Sequence, residues 1–444
     1  MSFIDIVFHV SAFASTVIIC LLVTYQLIFT AAGYVLHRRS GRQRERLLQA
    51  YQVLPPVTVL IPAHNEGKVI AETVHSLLEQ DYPPDKLSLL VIDDASTDDT
   101  PGILDALCSK HPQVRVLHRL KHEGGNGKSA ALNAALPLVH DDYIAIFDAD
   151  NRPEPGAIRH LVAQLLDVPT LSAAVGKFRT GNKYRNLLTR SINLEGLLFQ
   201  NIVQSGRWLL FGIASLTGTN YVIRRDVLTQ LGGWDEKALT EDTELSVRIY
   251  QAGHRIAFVP YASSWEQEPE TAVVWLKQRT RWARGNHYAV LKLLRNFNSG
   301  GSKLISLEML FSLGVPYLFL AGIITCHLTG ALMLLNPSLA QGLILPGHFW
   351  IAPLVLFVVE LLLALSYDRE TSPSNLAIGV LMFFFYSYAW LIVITRALHL
   401  DIIHRKKPVW DKTIRFDSAI EGWKPISRRF AEDGPSSEPE PIPD

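Results

Sequence analysis

The chain has 444 residues, 48% of them hydrophobic, with 42 basic and 42 acidic side chains and a formal net charge of zero. That length supports one or two sizeable cores, and the balanced charge gives no electrostatic ground for a nucleic-acid partner, so none is expected. Cys20 and Cys326 sit in apolar runs and Cys108 in a polar region; their spacing suits neither zinc nor a disulfide framework, and they read as reduced thiols.

Apolar residues concentrate in runs near Phe8–Tyr34, Phe311–Leu335, Leu343–Tyr367 and Leu376–Leu400. Each reaches the roughly 20 residues that a bilayer-crossing helix needs. The first lacks a basic start and its apolar stretch is long, so it reads as an anchor, not a cleaved signal. Arg38, Arg39, Arg42, Arg44 and Arg46 follow that run, and Lys292, Arg295 and Lys303 precede the second. Both flanks place the intervening domain in the cytoplasm of a multi-pass inner-membrane protein. Four crossings would leave the C-terminus outside, whereas Arg405, Lys406, Lys407, Lys412 and Arg415 favour the inside. One candidate for a non-crossing element is the Leu304–Leu335 stretch, broken by Pro316 and lying in part along the interface. Glu360, inside an apolar run, is either a hydrogen-bonded packing contact or a group facing a wet path.

Residues from about 54 to 300 read as one soluble domain. Val57–Ile61 is a β-rich run ended by Pro62, and a helical pattern follows from Val69 to Gln80. Leu87–Ile92 is a second strand closed by Asp93-Asp94. Pro101 opens a helix with Thr100 as its cap. Val114–Leu117 is a third strand, Lys128–Leu136 a helix and Tyr143–Phe147 a fourth strand. This alternation predicts an α/β fold with a mostly parallel sheet. His64-Asn65-Glu66, Asp93-Asp94 and Asp148-Ala149-Asp150 each follow a strand, so all three are expected at the carboxyl edge where such sheets bind ligands. The tail from Glu432 to Asp444 is rich in proline and acid and reads as disordered.

Asp148 and Asp150 suit magnesium or manganese, a hard cation held by one or two carboxylates and completed by substrate phosphates. They are equally at home in a solvated turn, since Asp is common where strands end. Gly124-Gly125-Asn126-Gly127-Lys128-Ser129 is a glycine-rich loop opening a helix, able to offer backbone N–H groups to a phosphate. It fails the nucleotide P-loop spacing, which needs a glycine where His122 stands. Lys128 is then either a cation beside a diphosphate or a lysine on a surface turn. Further on come Gly218-Thr219-Asn220, Thr240-Glu241-Asp242 and Gln278-Arg279-Thr280-Arg281-Trp282. Each is weak alone; their order within one α/β domain between apolar runs is more specific.

The span from Val57 to about Tyr288 resembles glycosyltransferase family 2, the GT-A fold group of cellulose, chitin, hyaluronan and poly-N-acetylglucosamine synthases, and most of all the bacterial poly-β-1,6-N-acetylglucosamine synthases. The resemblance implies a GT-A domain over 54–300 and an inverting, processive transfer of a sugar, expected to be N-acetylglucosamine, from a UDP-sugar to a glycan acceptor, coupled to export. It implies donor binding by Asn65, Glu66, Asp93, Asp94, Lys128, Asp148 and Arg281, and a divalent metal, Mg or Mn, on Asp148 and Asp150. Gly218, Thr219, Asn220, Gln278 and Trp282 would border the acceptor. Asp242 would be the catalytic base, with Glu241 beside it raising its basicity. His64 replaces a tyrosine often seen in the first motif. A small membrane partner subunit is also implied. The remaining units are an anchor and basic flank over 1–46, a membrane region over 301–403 and a basic then disordered tail over 404–444. Two other readings use the same residues. One is a single transfer to a lipid carrier. The other is a transporter with a cytoplasmic regulatory domain, which the long domain between the first two runs and the few charges within the spans disfavour.

Overall fold

The structure is a computed structural model that describes residues 3–122, 124–297, 301–342 and 351–403. Strands β1 (Val57–Ala63), β2 (Leu87–Asp93), β3 (Val114–His118), β4 (Tyr143–Ile146), β5 (Arg152–Pro153), β6 (Leu171–Thr180), β7 (Tyr221–Arg224) and β8 (Arg255–Glu266) form one sheet in the order β3-β2-β1-β4-β7-β6-β8-β5. β1–β2, β1–β4, β2–β3 and β6–β8 pair parallel. β4–β7, β5–β8 and β6–β7 pair antiparallel.

The helices of this domain are α1 (Phe3–Ala50), which leads into it, α2 (Ile70–Leu78), α3 (Thr100–Lys110), α4 (Lys128–Ala135), α5 (Ala157–Asp167), α6 (Leu187–Leu198), α7 (Ser205–Phe211), α8 (Arg225–Gln230), α9 (Glu241–Gln251) and α10 (Ala272–Arg295). α11 (Lys303–Leu335), α12 (Ala352–Tyr367), α13 (Pro373–Leu381) and α14 (Ser387–Leu398) follow. A π-helical segment, Met382–Tyr386, joins α13 to α14, and the helix runs on to Ile403.

The period-two alternation of the strands divides the apolar residues between two cores. Val57, Val59 and Ile61 of β1 and Leu89 and Val91 of β2 face one core with α2, α3 and α5. Leu60, Leu90, Ile92, Ile144 and Ile146 face the other, with α4, α9 and the end of α10.

Two expected boundaries shift for local reasons. Pro62 lies inside β1, paired with Ile92. Leu60 O accepts from Phe147 N and Ala63 O from Asp94 N, so Pro62 turns toward β4 just past the last β1–β4 pair, where no donor is required. Thr100 is the first helical residue of α3 and not its cap. Its hydroxyl accepts from the Glu66 N–H at 2.8 Å, tying the β1 loop to α3.

Three helices, Phe3–Ala50, Lys303–Leu335 and Pro373–Ile403, are long and apolar enough to cross a membrane. Pro316 does not break the second of them. α11 is continuous for 33 residues, although the proline leaves the Ser312 carbonyl without its helical donor. It packs antiparallel along α1: Ser11 meets Thr329 at 3.0 Å, and the rings of Tyr25 and Phe311 lie 4.8 Å apart. Glu360 is a packing contact of the kind foreseen, bonded to the Thr30 hydroxyl (2.7 Å) and the Gln26 amide (3.3 Å) of α1. The start of the Leu343–Tyr367 run, the basic group from Arg405 to Arg415 and the acidic tail lie outside the described residues.

Arg207 of α7 and Glu308 of α11 form a two-pronged ion pair, at 2.7 and 2.8 Å, with both side chains buried. Removing one partner strands a buried charge, whereas removing both does not. Glu308→Ala is expected to lower stability by about 3–5 kcal/mol, and Arg207→Met with Glu308→Leu to restore most of it, as read from unfolding of the detergent-solubilised protein.

Candidate active site

Three loops leave the carboxyl ends of β1, β2 and β4 and meet at one edge of the sheet. In the β1 loop, Asn65 adopts φ 55° and its Oδ1 accepts from the N–H groups of Thr97 (2.6 Å) and Asp98 (3.3 Å) in the β2 loop. Glu66 is buried beside it, its N–H on Thr100. His64 Nδ1 meets the Asp94 carbonyl at 2.8 Å.

The two aspartates of the β2 loop are engaged by the chain itself. Asp93 accepts from Ser96 N (3.0 Å) and pairs with His118 Nδ1 (2.8 Å), and that hydrogen bond pushes the His118 imidazole above its ordinary value. Asp94 is paired with Arg119. Sequence reasoning missed both partners; His118 closes β3 and Arg119 follows it, so the third strand end supplies them. The glycine-rich loop packs directly on this turn. A Cβ at Gly124 would stand 2.5 Å from the Ala95 Cβ, so only glycine lets the loop approach.

Lys128, the first residue of α4, reaches from that loop into the centre of the site. Its ammonium donates to Asp148 Oδ1 (2.6 Å), Gly218 O (2.6 Å) and Glu241 Oε1 (3.1 Å). Those three acceptors match its three protons. Burial opposes its charge, but Asp148 and Glu241 outweigh burial and hold it well above its ordinary value. The reading of Lys128 as a lysine on a surface turn is thereby excluded.

Asp148 N donates to the Thr219 hydroxyl at 3.0 Å. Asp150 is buried in the same turn. The two carboxylates are hard oxygen donors of the type that Mg or Mn prefers. Among the described residues no three His, Cys, Asp or Glu side chains are placed to hold a metal ion. A cation held by these two carboxylates would complete its shell with water or a bound ligand.

Gly218, Thr219 and Asn220 do different things. Gly218 and Thr219 border the Lys128–Asp148 contact, while Asn220 is buried and donates to the carbonyls of Lys177 (3.1 Å) and Ala262 (2.8 Å), stitching β6 to the β8 side of the sheet.

Glu241 and Asp242 occupy the first turn of α9. Burial first, then the neighbouring Glu241 carboxylate, push the Asp242 carboxyl up to about 7. Lys128, the Thr243 N–H and Arg281 act in the opposite direction. The result is a carboxylate that exchanges a proton near neutrality.

α10 brings the last motif against this cluster. A Cβ at Gly285 would stand 2.1 Å from the Thr240 hydroxyl oxygen, so the helix lies directly on the turn that opens α9. Arg281 donates to Leu239 O at 3.2 Å, beside the same turn. Trp282 is partly exposed, and the Arg279 guanidinium lies 3.9 Å from its ring centroid. Arg279 is buried and held by Glu195 of α6 at 2.8 Å and by Gln278 Oε1 at 3.1 Å. Glu195 carried no sequence signal, because 84 residues separate it from its partner. Lys128, Asp148, Gly218, Thr219, Glu241, Asp242 and Arg281 thus converge. Asn65, Glu66, Asp93 and Asp94 adjoin through Ala95 and Gly124, and on α10 Gln278 lies one turn before Arg281 and Trp282 next to it.

Residues 55–285 match the model of a family described as "Glycosyltransferase like family 2". A probable glycosyltransferase of Bacillus subtilis, YdaM, is 39% identical over 418 residues, covering 92% of this chain and 99% of that protein. A β-monoglucosyldiacylglycerol synthase of Synechocystis is 32% identical over 54% of this chain and 50% of its own length. A poly-β-1,6-N-acetyl-D-glucosamine synthase of Staphylococcus aureus is 26% identical over 54% of this chain and 56% of its own length. The chain therefore spans only about half the length of the latter two relatives. Among solved structures, a mannosyltransferase of Pyrobaculum calidifontis, in complex with GDP-Man and Mn2+, shares the fold with a TM-score of 0.51 at 23% identity, covering 82% of this chain and 99% of that one.

A group that must accept a proton works only while ionised. If Asp242, near 7, is that group, kcat/KM is expected to fall about tenfold per unit as pH drops below about 7. Lys128→Met removes a cation that lowers this value, so the acid limb of the pH–rate profile should move to higher pH.

Proposed function

The chain belongs to glycosyltransferase-like family 2, and from that premise we propose that it moves a sugar from a nucleoside-diphosphate sugar to an acceptor hydroxyl with inversion, Asp242 serving as general base. The observation that carries this reading is the meeting of Lys128, Asp148, Glu241, Asp242 and Arg281 at one point of the sheet edge. The acceptor oxygen attacks the anomeric carbon from the face opposite the diphosphate. Its proton passes to Asp242 as the new C–O bond forms, and the diphosphate departs with the electron pair of the bond that breaks. A positioned base supplies about 10²–10⁴-fold. Lys128 and Arg281 give fixed positive charge where the diphosphate gathers negative charge. Asp148 and Asp150 would hold a divalent metal, which when bound would supply Lewis-acid neutralisation of that leaving group. Trp282, seated on Arg279, offers a flat apolar face to an acceptor sugar.

The finer assignment is a processive synthase using UDP-N-acetylglucosamine at the cytoplasmic membrane face, with export of the chain and a small partner subunit as extensions of the same reading. The likeness to a poly-N-acetylglucosamine synthase supports it. A second reading, one transfer to a membrane lipid, is favoured by the likeness to the glucosyldiacylglycerol synthase. Product length from purified membranes and labelled UDP-N-acetylglucosamine separates them: a ladder supports the polymer, and a single glycolipid supports the second reading.

Asp242→Asn is expected to keep donor binding in calorimetry and lose at least about 10²-fold in turnover; near-normal turnover excludes the base assignment. EDTA is expected to stop transfer, and added Mg or Mn to restore it.

A further inference from the structure

One face of the Trp282 ring is taken. The Arg279 guanidinium lies over it, 3.9 Å from the ring centroid, and the side chain is otherwise partly exposed. Whatever holds that guanidinium therefore holds the ring. We propose that Glu195, on α6, is a positioning residue for the acceptor, acting not on the substrate but through Arg279. The proposal rests on the reading of Trp282 and Gln278 as residues that border the acceptor, and it adds the group that orients both.

Trp275, Arg279 and Trp282 stand at i, i+4 and i+7, so they form one stripe along α10. Arg279 is only 2% exposed. Burial opposes its charge, but the Glu195 carboxylate outweighs burial and holds it above its ordinary value. Arg279 Nη2 donates to Glu195 Oε2 at 2.8 Å, and Nη1 donates to Gln278 Oε1 at 3.1 Å. An arginine only donates, so the second bond also decides which end of the Gln278 amide is turned toward it. One guanidinium thus orients the ring and the amide together.

The carboxylate is itself held from the other side. Tyr386 OH donates to Glu195 Oε2 at 3.0 Å, and Trp390 Nε1 donates to Oε1 at 2.7 Å. Tyr386 in turn accepts from Trp275 Nε1 at 2.9 Å, so the network begins and ends on α10. Three donors from two helices occupy both oxygens of Glu195, which leaves the carboxylate one orientation.

Stability alone does not account for this arrangement. A buried ion pair adds little over apolar residues of similar volume. What an apolar residue cannot supply is a planar cation that stacks on an indole and donates along fixed directions. Lysine lacks the plane, and glutamine at position 195 lacks the charge that makes a buried guanidinium tenable. The pair is explained by the partly exposed ring it carries.

The test labels the full-length, detergent-solubilised protein with 5-fluorotryptophan. Of its nine tryptophans, the one whose fluorine resonance disappears in Trp282→Phe is assigned to Trp282. Glu195→Gln should shift and broaden that resonance, and Arg279→Lys should do the same; an unmoved resonance in both overturns the proposal. Should Glu195→Gln fail to fold, Tyr386→Phe leaves the ion pair intact and should give a smaller shift in the same direction, with no shift counting against the proposal. Calorimetry with UDP-N-acetylglucosamine should return a donor Kd within about twofold of the parent protein. With labelled donor and an N-acetylglucosamine tetrasaccharide as acceptor probe, Glu195→Gln should raise KM for the tetrasaccharide about tenfold and change kcat less. A donor Kd weakened as much as that KM assigns Glu195 to general upkeep of the fold and overturns the proposal. In a Trp282→Leu background the same substitution should add under about twofold; a full second loss there shows that Glu195 acts by another route. If the parent protein leaves the tetrasaccharide unextended, the processive reading fails, while the fluorine resonance still decides the role of Glu195.

Discussion

The site depends on one largely buried ammonium. Lys128 is drawn out of water by three acceptors from separate parts of the chain: the turn after β4, the turn before β7 and the first residue of α9. An isolated buried charge costs several kcal/mol, and only close pairing makes its position tenable. The arrangement therefore fixes Asp148, Gly218 and Glu241 relative to one another. It also leaves Asp242 beside a partly neutralised cluster. Were Lys128 absent, burial and Glu241 would raise Asp242 further; were Glu241 absent, Lys128 would hold it lower. Near-neutral basicity is the balance of those opposing terms.

Much of this was legible in the sequence where the signal is local. β1 to β4 are short apolar runs, those of β1, β2 and β4 closed by turns that carry acidic residues, and the rule that α/β sheets bind ligands at their carboxyl edge placed these three clusters together. The later half of the sheet was not legible. β5 is only two residues long, and β6 carries buried residues at nearly every position, so no alternation marks it. Within the site, residue type revealed chemistry but not employment. Asp93 and Asn220 were expected at ligands; Asp93 also holds Ser96 N and the His118 ring, and the Asn220 Nδ2 also donates to two strand carbonyls. Thr100 looked like a cap because it precedes Pro101, whereas its hydroxyl is taken by Glu66 N. Such reassignments arise from partners tens of residues away, which no local pattern encodes.

The five-residue motif on α10 shows the same limit in a sharper form. Its first arginine, Arg279, is the buried member, held by Glu195, while Arg281 lies beside the turn that opens α9 and Trp282 is partly exposed. The i, i+3 spacing of Arg279 and Trp282 lets the guanidinium support the ring. The position of the tryptophan is thus set by an ion pair behind it.

That ion pair links α10 to the last apolar helix. Glu195 is bonded to Arg279 on one side and to Tyr386 and Trp390 on the other, and α10 is fixed at Thr240 by the close approach of Gly285 and at Asp401 by Arg284 and His287. α10 cannot tilt without breaking contacts at both places. Close-packed elements shift as units, not as elastic bodies. The Pro373–Ile403 helix therefore constrains where α10, and Trp282 on it, stands relative to Asp242.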